Sequence, residues 1–193
     1  SYSWLVVQRV LSLSYQSIVF FSPTSKLIVG SQFNFIFALD MLAYSDMFSA
    51  FRCDTSPYCG LPYPVSSQTF SITAADFDLD GDLDIYACGY NPSADRVRSG
   101  TLGEPLPYHD AQNGGRNMLL RNEGEWQFND VTETVGLSHN NNRFSFAAAW
   151  EDYDDDGDPD LYVSNDYGRN NLYQNTNGRF VDVAAELGIE DMS

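Results

Sequence analysis

Basic residues are scarce in this sequence. The 193-residue chain has 10 lysines and arginines against 27 aspartates and glutamates, which gives a formal net charge of −17. All of this charge lies in residues 71–193, because acidic and basic residues balance in the first 70. A surface this acidic argues against nucleic acid or an anionic membrane as a partner, since both would repel it.

Long apolar runs are also missing. No uninterrupted run reaches the roughly 18 residues of a membrane-spanning helix, so we expect no membrane insertion. The apolar opening, residues 1–21, has Arg9 inside it rather than a basic lead before an apolar block, which is atypical of a secretory signal. The hydrophobic content of 43% is nevertheless enough to fill the core of one ordinary domain.

Cysteine is rare, with three in the chain. Cys53 and Cys59 lie in a turn-rich stretch, where they either close a small disulfide loop, as in an exported protein, or remain free thiols. Cys88 falls in a short apolar run and is expected to be a buried side chain rather than a reactive one.

Aspartate, by contrast, is abundant and recurs in a fixed frame. Residues 76–84 and residues 152–160 both read Asp-x-Asp-x-Asp-Gly-x-x-Asp. Carboxylates at positions 1, 3 and 5 of a tight loop converge on one point when a glycine at position 6 lets the backbone turn sharply. The carboxylate at position 9 closes the cage. Without a cation, such carboxylates repel one another by roughly a few kcal/mol per pair.

The frame therefore predicts two metal sites with oxygen ligands. In the first, the predicted ligands are the side chains of Asp76, Asp78, Asp80 and Asp84 and the backbone carbonyl of Asp82. In the second, they are the side chains of Asp152, Asp154, Asp156 and Asp160 and the backbone carbonyl of Asp158. We expect Ca2+ at both, because a cage of many carboxylates suits this larger, less strictly octahedral ion better than Mg2+. The alternative is that both frames are solvated acidic turns without a metal, and the recurrence of the whole frame argues against it.

The residues after the frame distinguish it from helical calcium loops. An EF-hand requires glutamate at position 12, where this chain has Ala87 and Val163. Residues 85–88 and 161–164 are short apolar runs with β-branched and aromatic side chains, which are typical of buried strands rather than of the helix after a dockerin-like loop. Similar runs precede the frames at residues 70–75 and 144–150. Each loop is therefore predicted to be the tip of a β-hairpin.

A second matched block follows each frame. Residues 117–122 read Asn-Met-Leu-Leu-Arg-Asn, and residues 170–175 read Asn-Asn-Leu-Tyr-Gln-Asn. Further on, Phe-x-Asp-Val at residues 128–131 and 180–183 is followed by Gly-Leu and Gly-Ile at 136–137 and 188–189. Each unit thus predicts four strands and a short helical turn. A unit too small to bury its own faces is typical of a propeller blade or a similar array.

These residues resemble the FG-GAP or VCBS repeat family, whose blades form the calcium-bearing β-propeller of integrin alpha chains. The pattern is most similar to secreted bacterial repeat proteins and to cartilage acidic protein, and it covers residues 70–192. The resemblance implies an all-β fold with propeller blades of four antiparallel strands, as a partial propeller with two recognisable repeats. The Phe-Gly-Gly-Ala-Pro string that gives the family its name is absent.

The repeats divide the chain into three parts. Residues 1–69 have no family counterpart and stay unassigned, with β-strands as one alternative. Residues 70–143 form a first repeat with a long insert at about 91–116, and residues 144–193 form a second repeat. Because a propeller needs at least about four blades, we expect the sequence to be a segment of a longer chain that supplies further blades.

Three functions fit these features. The first is a calcium-binding extracellular module that serves adhesion or binds protein or glycan, secreted or at the cell surface, where calcium is plentiful. The second is a glycan-acting enzyme on a propeller scaffold, and the third is a structural spacer. His109 and Asp110, in the insert, are the one pair that suggests acid–base chemistry. Adjacent loop residues seldom face one another, so we expect no catalytic residue and no enzymatic activity.

Overall fold

The structure, a computed structural model, describes residues 69–90, 105–124 and 127–191 in full. Nearer the N terminus it describes the backbone of four strands: β1 (Tyr15–Phe21), β2 (Lys26–Ser31), β3 (Phe35–Asp40) and β4 (Gly60–Pro64). These strands pair antiparallel in the order β1-β2-β3-β4.

Two further four-stranded sheets follow in the chain. The first contains β5 (Thr69–Ala75), β6 (Asp84–Gly89), β7 (Met118–Asn122) and β8 (Phe128–Asp130). The second contains β9 (Ser145–Glu151), β10 (Asp160–Asn165), β11 (Asn171–Asn175) and β12 (Phe180–Asp182), and helix α1 (Ala184–Leu187) follows it. Every pairing is antiparallel and joins strands that are consecutive in sequence. The all-β fold and the strands predicted around each aspartate frame are confirmed.

The burial of residues within these strands follows their composition. All six residues of β6 are buried, as its continuous apolar run predicts for a strand covered on both faces. In β7 and β11 the penultimate residue is only partly buried, and it is polar in both, Arg121 and Gln174. The Asn residue that follows each of them is buried.

The main core lies between the two fully described sheets. It combines apolar side chains from both sheets and from the segments that connect their strands: Phe77, Tyr86, Cys88, Leu119, Val131, Val135, Leu137, Leu161, Val163, Tyr173 and Phe180. Trp150 packs against this core and meets Tyr86 edge to face, with ring centroids 6.4 Å apart. Because each sheet buries a face against the other, neither repeat has a complete core alone.

The first strands of the three sheets lie side by side: β1 contacts β5, and β5 contacts β9. The segment from β8 to β9 crosses between the two described sheets, and Phe180 N donates a hydrogen bond to Val135 O at 2.8 Å. Gly136 has a φ of 97°, and a Cβ there would lie 2.5 Å from the Phe180 carbonyl oxygen. Glycine is therefore required at this crossing by both backbone conformation and space.

Several sequence-based predictions lie outside the described residues. They include the pairing of Cys53 with Cys59 and the part of the insert at residues 91–104. Cys88 is described, and it is a fully buried free thiol. Within the described segments, no helix has the length and apolar character needed to cross a membrane.

Candidate metal centre

The first aspartate frame forms the loop that connects β5 to β6. Gly81 takes a φ of 98°, which lets the loop turn back on itself, and its N–H donates to Asp76 Oδ2 at 3.0 Å. Asp80 Oδ1 accepts the Asp82 N–H at 2.9 Å. The frame residues thus fix the loop by bonding to its own backbone.

The second frame repeats this geometry between β9 and β10. Gly157 has a φ of 95°, and its N–H donates to Asp152 Oδ2 at 2.9 Å. Asp156 Oδ1 accepts the Asp158 N–H at 2.9 Å. Both frames are hairpin tips, as their sequences predict. The bond from Asn175 Nδ2 to the Phe77 carbonyl also places the two tips at the same end of adjacent sheets.

The last aspartate of each frame is the first residue of a buried strand. Asp84 is fully buried; its Oδ2 accepts the Phe77 N–H at 3.1 Å and its Oδ1 accepts the Asn122 N–H at 2.8 Å. Asp160 is equally buried and accepts the corresponding bonds from Tyr153, at 3.0 Å, and from Asn175, at 2.7 Å. Each closing carboxylate therefore joins its loop to the third strand of the same sheet.

Each loop brings three carboxylates together. In each trio one oxygen per residue lies within 4.8 Å of the others; the trios are Asp76, Asp78 and Asp84 in the first loop and Asp152, Asp154 and Asp156 in the second. Either cluster could hold a metal ion. Asp80 falls outside the first trio and Asp160 outside the second, so each loop gathers three of its four predicted side-chain ligands. The ligand roles of Asp80 and Asp160, and of the Asp82 and Asp158 carbonyls, stay predictions.

Two oxygens of the first trio have no donor. Asp76 Oδ1 and Asp78 Oδ1 are buried and accept no hydrogen bond from any residue that the structure describes. In the second loop, Asp154 Oδ2 accepts a bond from Gln174 Nε2 at 2.6 Å. A buried carboxylate oxygen without a donor is costly unless a cation neutralises it. The first loop therefore offers the oxygen ligands that a cation site requires.

The electrostatics of the loops point the same way. Burial raises the pKa of Asp84 to about 7 despite the two backbone amides that favour its charged form. Burial is also the first cause of the raised pKa of Asp160, and of Asp78, where the neighbouring Asp80 charge adds to it. A bound cation would supply the positive charge that these groups lack, and all the ligands on offer are hard oxygens.

The third strands contribute residues that the aspartate pattern did not reveal. Asn122 and Asn175 hold the closing carboxylates through their N–H groups, and Asn122 Oδ1 accepts the Gly124 N–H at 3.2 Å. The sequence feature that could have indicated this role is the Asn that ends both matched blocks. Strand register alone decides that these amides reach the aspartates.

His109 and Asp110 have different surroundings. His109 is exposed, whereas Asp110 faces the buried Arg143, at 3.5 Å, and Arg169, at 3.8 Å. The pair with Arg143 attaches the insert to the segment before β9, and the pair with Arg169 attaches it to the loop between β10 and β11. Both give Asp110 a structural role.

Comparison of the chain with protein-family models and with curated proteins finds no match.

Proposed function

We propose that this chain is a calcium-binding repeat module with two structural Ca2+ sites, one in each aspartate loop. The observation that carries the proposal is the pair of carboxylate trios, the first of which holds two buried oxygens without donors. Calcium is favoured over magnesium because it accepts many protein oxygens in a flexible arrangement, whereas Mg2+ keeps most of its water. The ion would stabilise the hairpin tips, and no reaction is assigned to it.

The architecture supports a place for these repeats in a β-propeller. Each described sheet has four antiparallel strands in chain order, and the first strands of successive sheets lie next to one another. That is the arrangement expected of blades around a central axis. Together with the repeated motifs, it supports membership of the FG-GAP or VCBS family, with the remaining blades supplied by a longer parent chain.

The biological role that fits best is adhesion or the binding of protein or glycan outside the cytoplasm. Weak calcium sites, with dissociation constants of about 10⁻⁴ to 10⁻³ M, serve extracellular modules well because calcium is abundant there. The excess of acidic residues, 27 against 10 basic, favours partners that are neutral or basic.

The test is a calcium titration of the whole chain by calorimetry, together with thermal unfolding in calcium and in chelator. We expect about two calcium ions per chain and a higher Tm with calcium. For a site with a dissociation constant 100-fold below the free calcium concentration, binding adds about 2.7 kcal/mol. A folded chain that binds no calcium and unfolds at the same temperature in both conditions would refute the proposal.

A further inference from the structure

Asn175 contacts both candidate metal loops. It is fully buried at the end of β11, and its backbone N–H donates to Asp160 Oδ1, in the second loop, at 2.7 Å. Its side-chain Nδ2 donates to the Pro159 carbonyl at 3.0 Å and also to the Phe77 carbonyl, in the first loop, at 2.8 Å. Its Oδ1 accepts the Gly178 N–H at 2.9 Å. The side chain therefore has every polar atom bonded and spans the junction between the two sheets.

Phe77 is central to the first carboxylate trio. It lies between Asp76 and Asp78 in sequence, and its N–H donates to Asp84 Oδ2 at 3.1 Å. Its carbonyl belongs to the peptide unit that leads into Asp78. Holding this carbonyl therefore constrains the backbone between Asp76 and Asp78, and the bond from Phe77 N–H links this segment to Asp84, the third carboxylate of the trio.

The second repeat also supports this segment by packing. The Phe77 ring lies against Phe180, with centroids 5.7 Å apart. Gly178, in the turn between β11 and β12, comes so near that a Cβ on it would lie 3.5 Å from the Asp78 Cβ. The first loop is thus built partly from its own sheet and partly from the next.

We propose that Asn175 is a positioning residue that couples the two loops, so that a divalent cation in the second loop raises the affinity of the first loop for a second cation. This inference rests on the proposed function. In the cation-free second loop, repulsion among the carboxylates acts on Asp160, and through Asp160 on the peptide of Asn175. A bound cation removes the repulsion, fixes Asn175, and so holds the Phe77 carbonyl in the position that the first trio requires. By linkage, the first cation must favour the second equally.

The first repeat supplies a matched control. Asn122 holds Asp84 through its N–H, and its Nδ2 donates to the Leu83 carbonyl at 3.4 Å, within its own loop. Of these two matched asparagines, Asn175 is the one whose side-chain amide bonds to the loop of the neighbouring sheet. Asn175→Ala should therefore weaken binding in the first loop, which belongs to the other repeat. Asn122→Ala keeps the backbone N–H that holds Asp84 and breaks no bond to the second sheet, so it should leave the second loop unchanged.

Two glycine amides report the loops separately. Gly81 N–H bonds to Asp76 and Gly157 N–H bonds to Asp152, so the NMR signals of these amides should follow calcium binding at the first and second loop respectively. The experiment is a calcium titration of the full chain, read at both glycines, in the wild type, Asp156→Ala, Asn175→Ala, the double variant and Asn122→Ala. Amide spectra and melting curves of each variant in calcium establish that it is folded.

The expected result is non-additive. Asp156→Ala should weaken calcium binding in the first loop, read at the Gly81 amide, about five- to tenfold, which is a typical coupling between sites. Asn175→Ala should weaken it similarly, and the double variant should be no weaker than either single variant. Asn122→Ala should leave the midpoint at Gly157 unchanged. If Asn175→Ala does not fold, Asn175→Leu replaces it, since this variant has a side chain of similar shape, lacks the amide donors and adds no charge beside Asp160.

Two other results would overturn the coupling. In the first, Asp156→Ala leaves the calcium midpoint of the Gly81 signal unchanged. In the second, Asp156→Ala shifts this midpoint by the same factor whether residue 175 is Asn or Ala. Either can occur while both glycines respond to calcium, and the proposed function then stands without the coupling. If neither glycine responds in the folded wild type, both proposals fail.

Discussion

Asp84 and Asp160 occupy the least hydrated positions of their loops. A carboxylate at the start of a buried strand is destabilising when charged unless a cation or donors offset it. Here backbone amides offset part of the cost, and the raised pKa of Asp84, about 7, shows that part remains. The metal-free protein should therefore be least stable at the pH values at which Asp84 is ionised.

This gives a pH dependence with a definite sign. In chelator, folded Asp84, with a pKa of about 7, holds a proton that the unfolded chain, with a value near 3.8, has released. The free energy of unfolding should therefore fall as the pH rises from about 4 through 7. Urea unfolding of the chelated protein at several pH values measures this. Asp84→Asn should flatten the profile, and a wild-type profile that rises over this window would contradict the prediction.

Neighbouring residues in the second loop allow an isosteric test of the ligand assignment. Asp156 belongs to the trio, whereas Asp155 is exposed, occupies a variable position of the frame and has a φ of 60°, which Asn tolerates. Asp156→Asn should weaken calcium binding at this loop at least about tenfold, or about 1.4 kcal/mol. Asp155→Asn removes the same charge and should have a much smaller effect. Calorimetric titration of the two variants checks this, and equal losses would indicate general electrostatics rather than ligation.

The residues at the sites were predictable to different degrees. The spacing of Asp76, Asp78 and Asp84 was sufficient to bring their carboxylates together, because ligand spacing in a tight loop is a local property. The role of Asn175 was not predictable, since it depends on contact with Phe77, 98 residues away. Such contacts follow from how sheets pack.

The hairpins and their flanking strands follow from local sequence. Apolar runs on both sides of each frame gave β5, β6, β9 and β10, and the Phe-x-Asp-Val segments gave the short strands β8 and β12. The attachment of the insert was not predictable. It depends on loop-to-loop bonds such as Ala111 N–H to Tyr167 O, at 2.6 Å, and Gly115 N–H to Tyr90 O, at 2.8 Å, which no periodicity encodes.

The glycines near the ends of the two repeats make a matched pair. Gly136 and Gly188 occupy equivalent positions and both have positive φ, but a Cβ at Gly136 would meet the Phe180 carbonyl at 2.5 Å, whereas nothing lies within 4 Å at Gly188. Gly188→Ala should cost about 1 kcal/mol from backbone strain alone. Gly136→Ala should cost more than about 2 kcal/mol, because the crossing between the sheets must also shift. Denaturant unfolding in calcium compares them, and similar losses would mean that the crossing relaxes freely.

The insert offers a second pair of adjacent substitutions. Asp110→Ala leaves the buried Arg143 guanidinium without its carboxylate, at 3.5 Å in the wild type, and should reduce stability by about 1 kcal/mol. His109→Ala removes an exposed ring and should change stability by less than about 0.5 kcal/mol. Chemical denaturation at constant calcium measures both. A larger loss for His109→Ala would show that the histidine, not the aspartate, anchors the insert.

Across the molecule, the charge of −17 opposes compaction. Under the proposed function, calcium would relieve this repulsion at two points, whereas monovalent salt screens it everywhere, with a Debye length of about 10 Å at 0.1 M. Added sodium chloride should therefore raise the Tm of the chelated protein more than that of the calcium-loaded protein. Melting curves at low and high salt test this, and an equal shift in both states would mean that the loops contribute little of the repulsion.

The bond from Asn175 to Phe77 also has a consequence for biosynthesis. The two residues are 98 positions apart, so at about 5–20 residues per second the ribosome needs roughly 5–20 s to add Asn175 after Phe77. During that interval the first loop has its aspartates but not the amide that holds its backbone. Completion of the first loop must therefore wait until the following repeat has been translated.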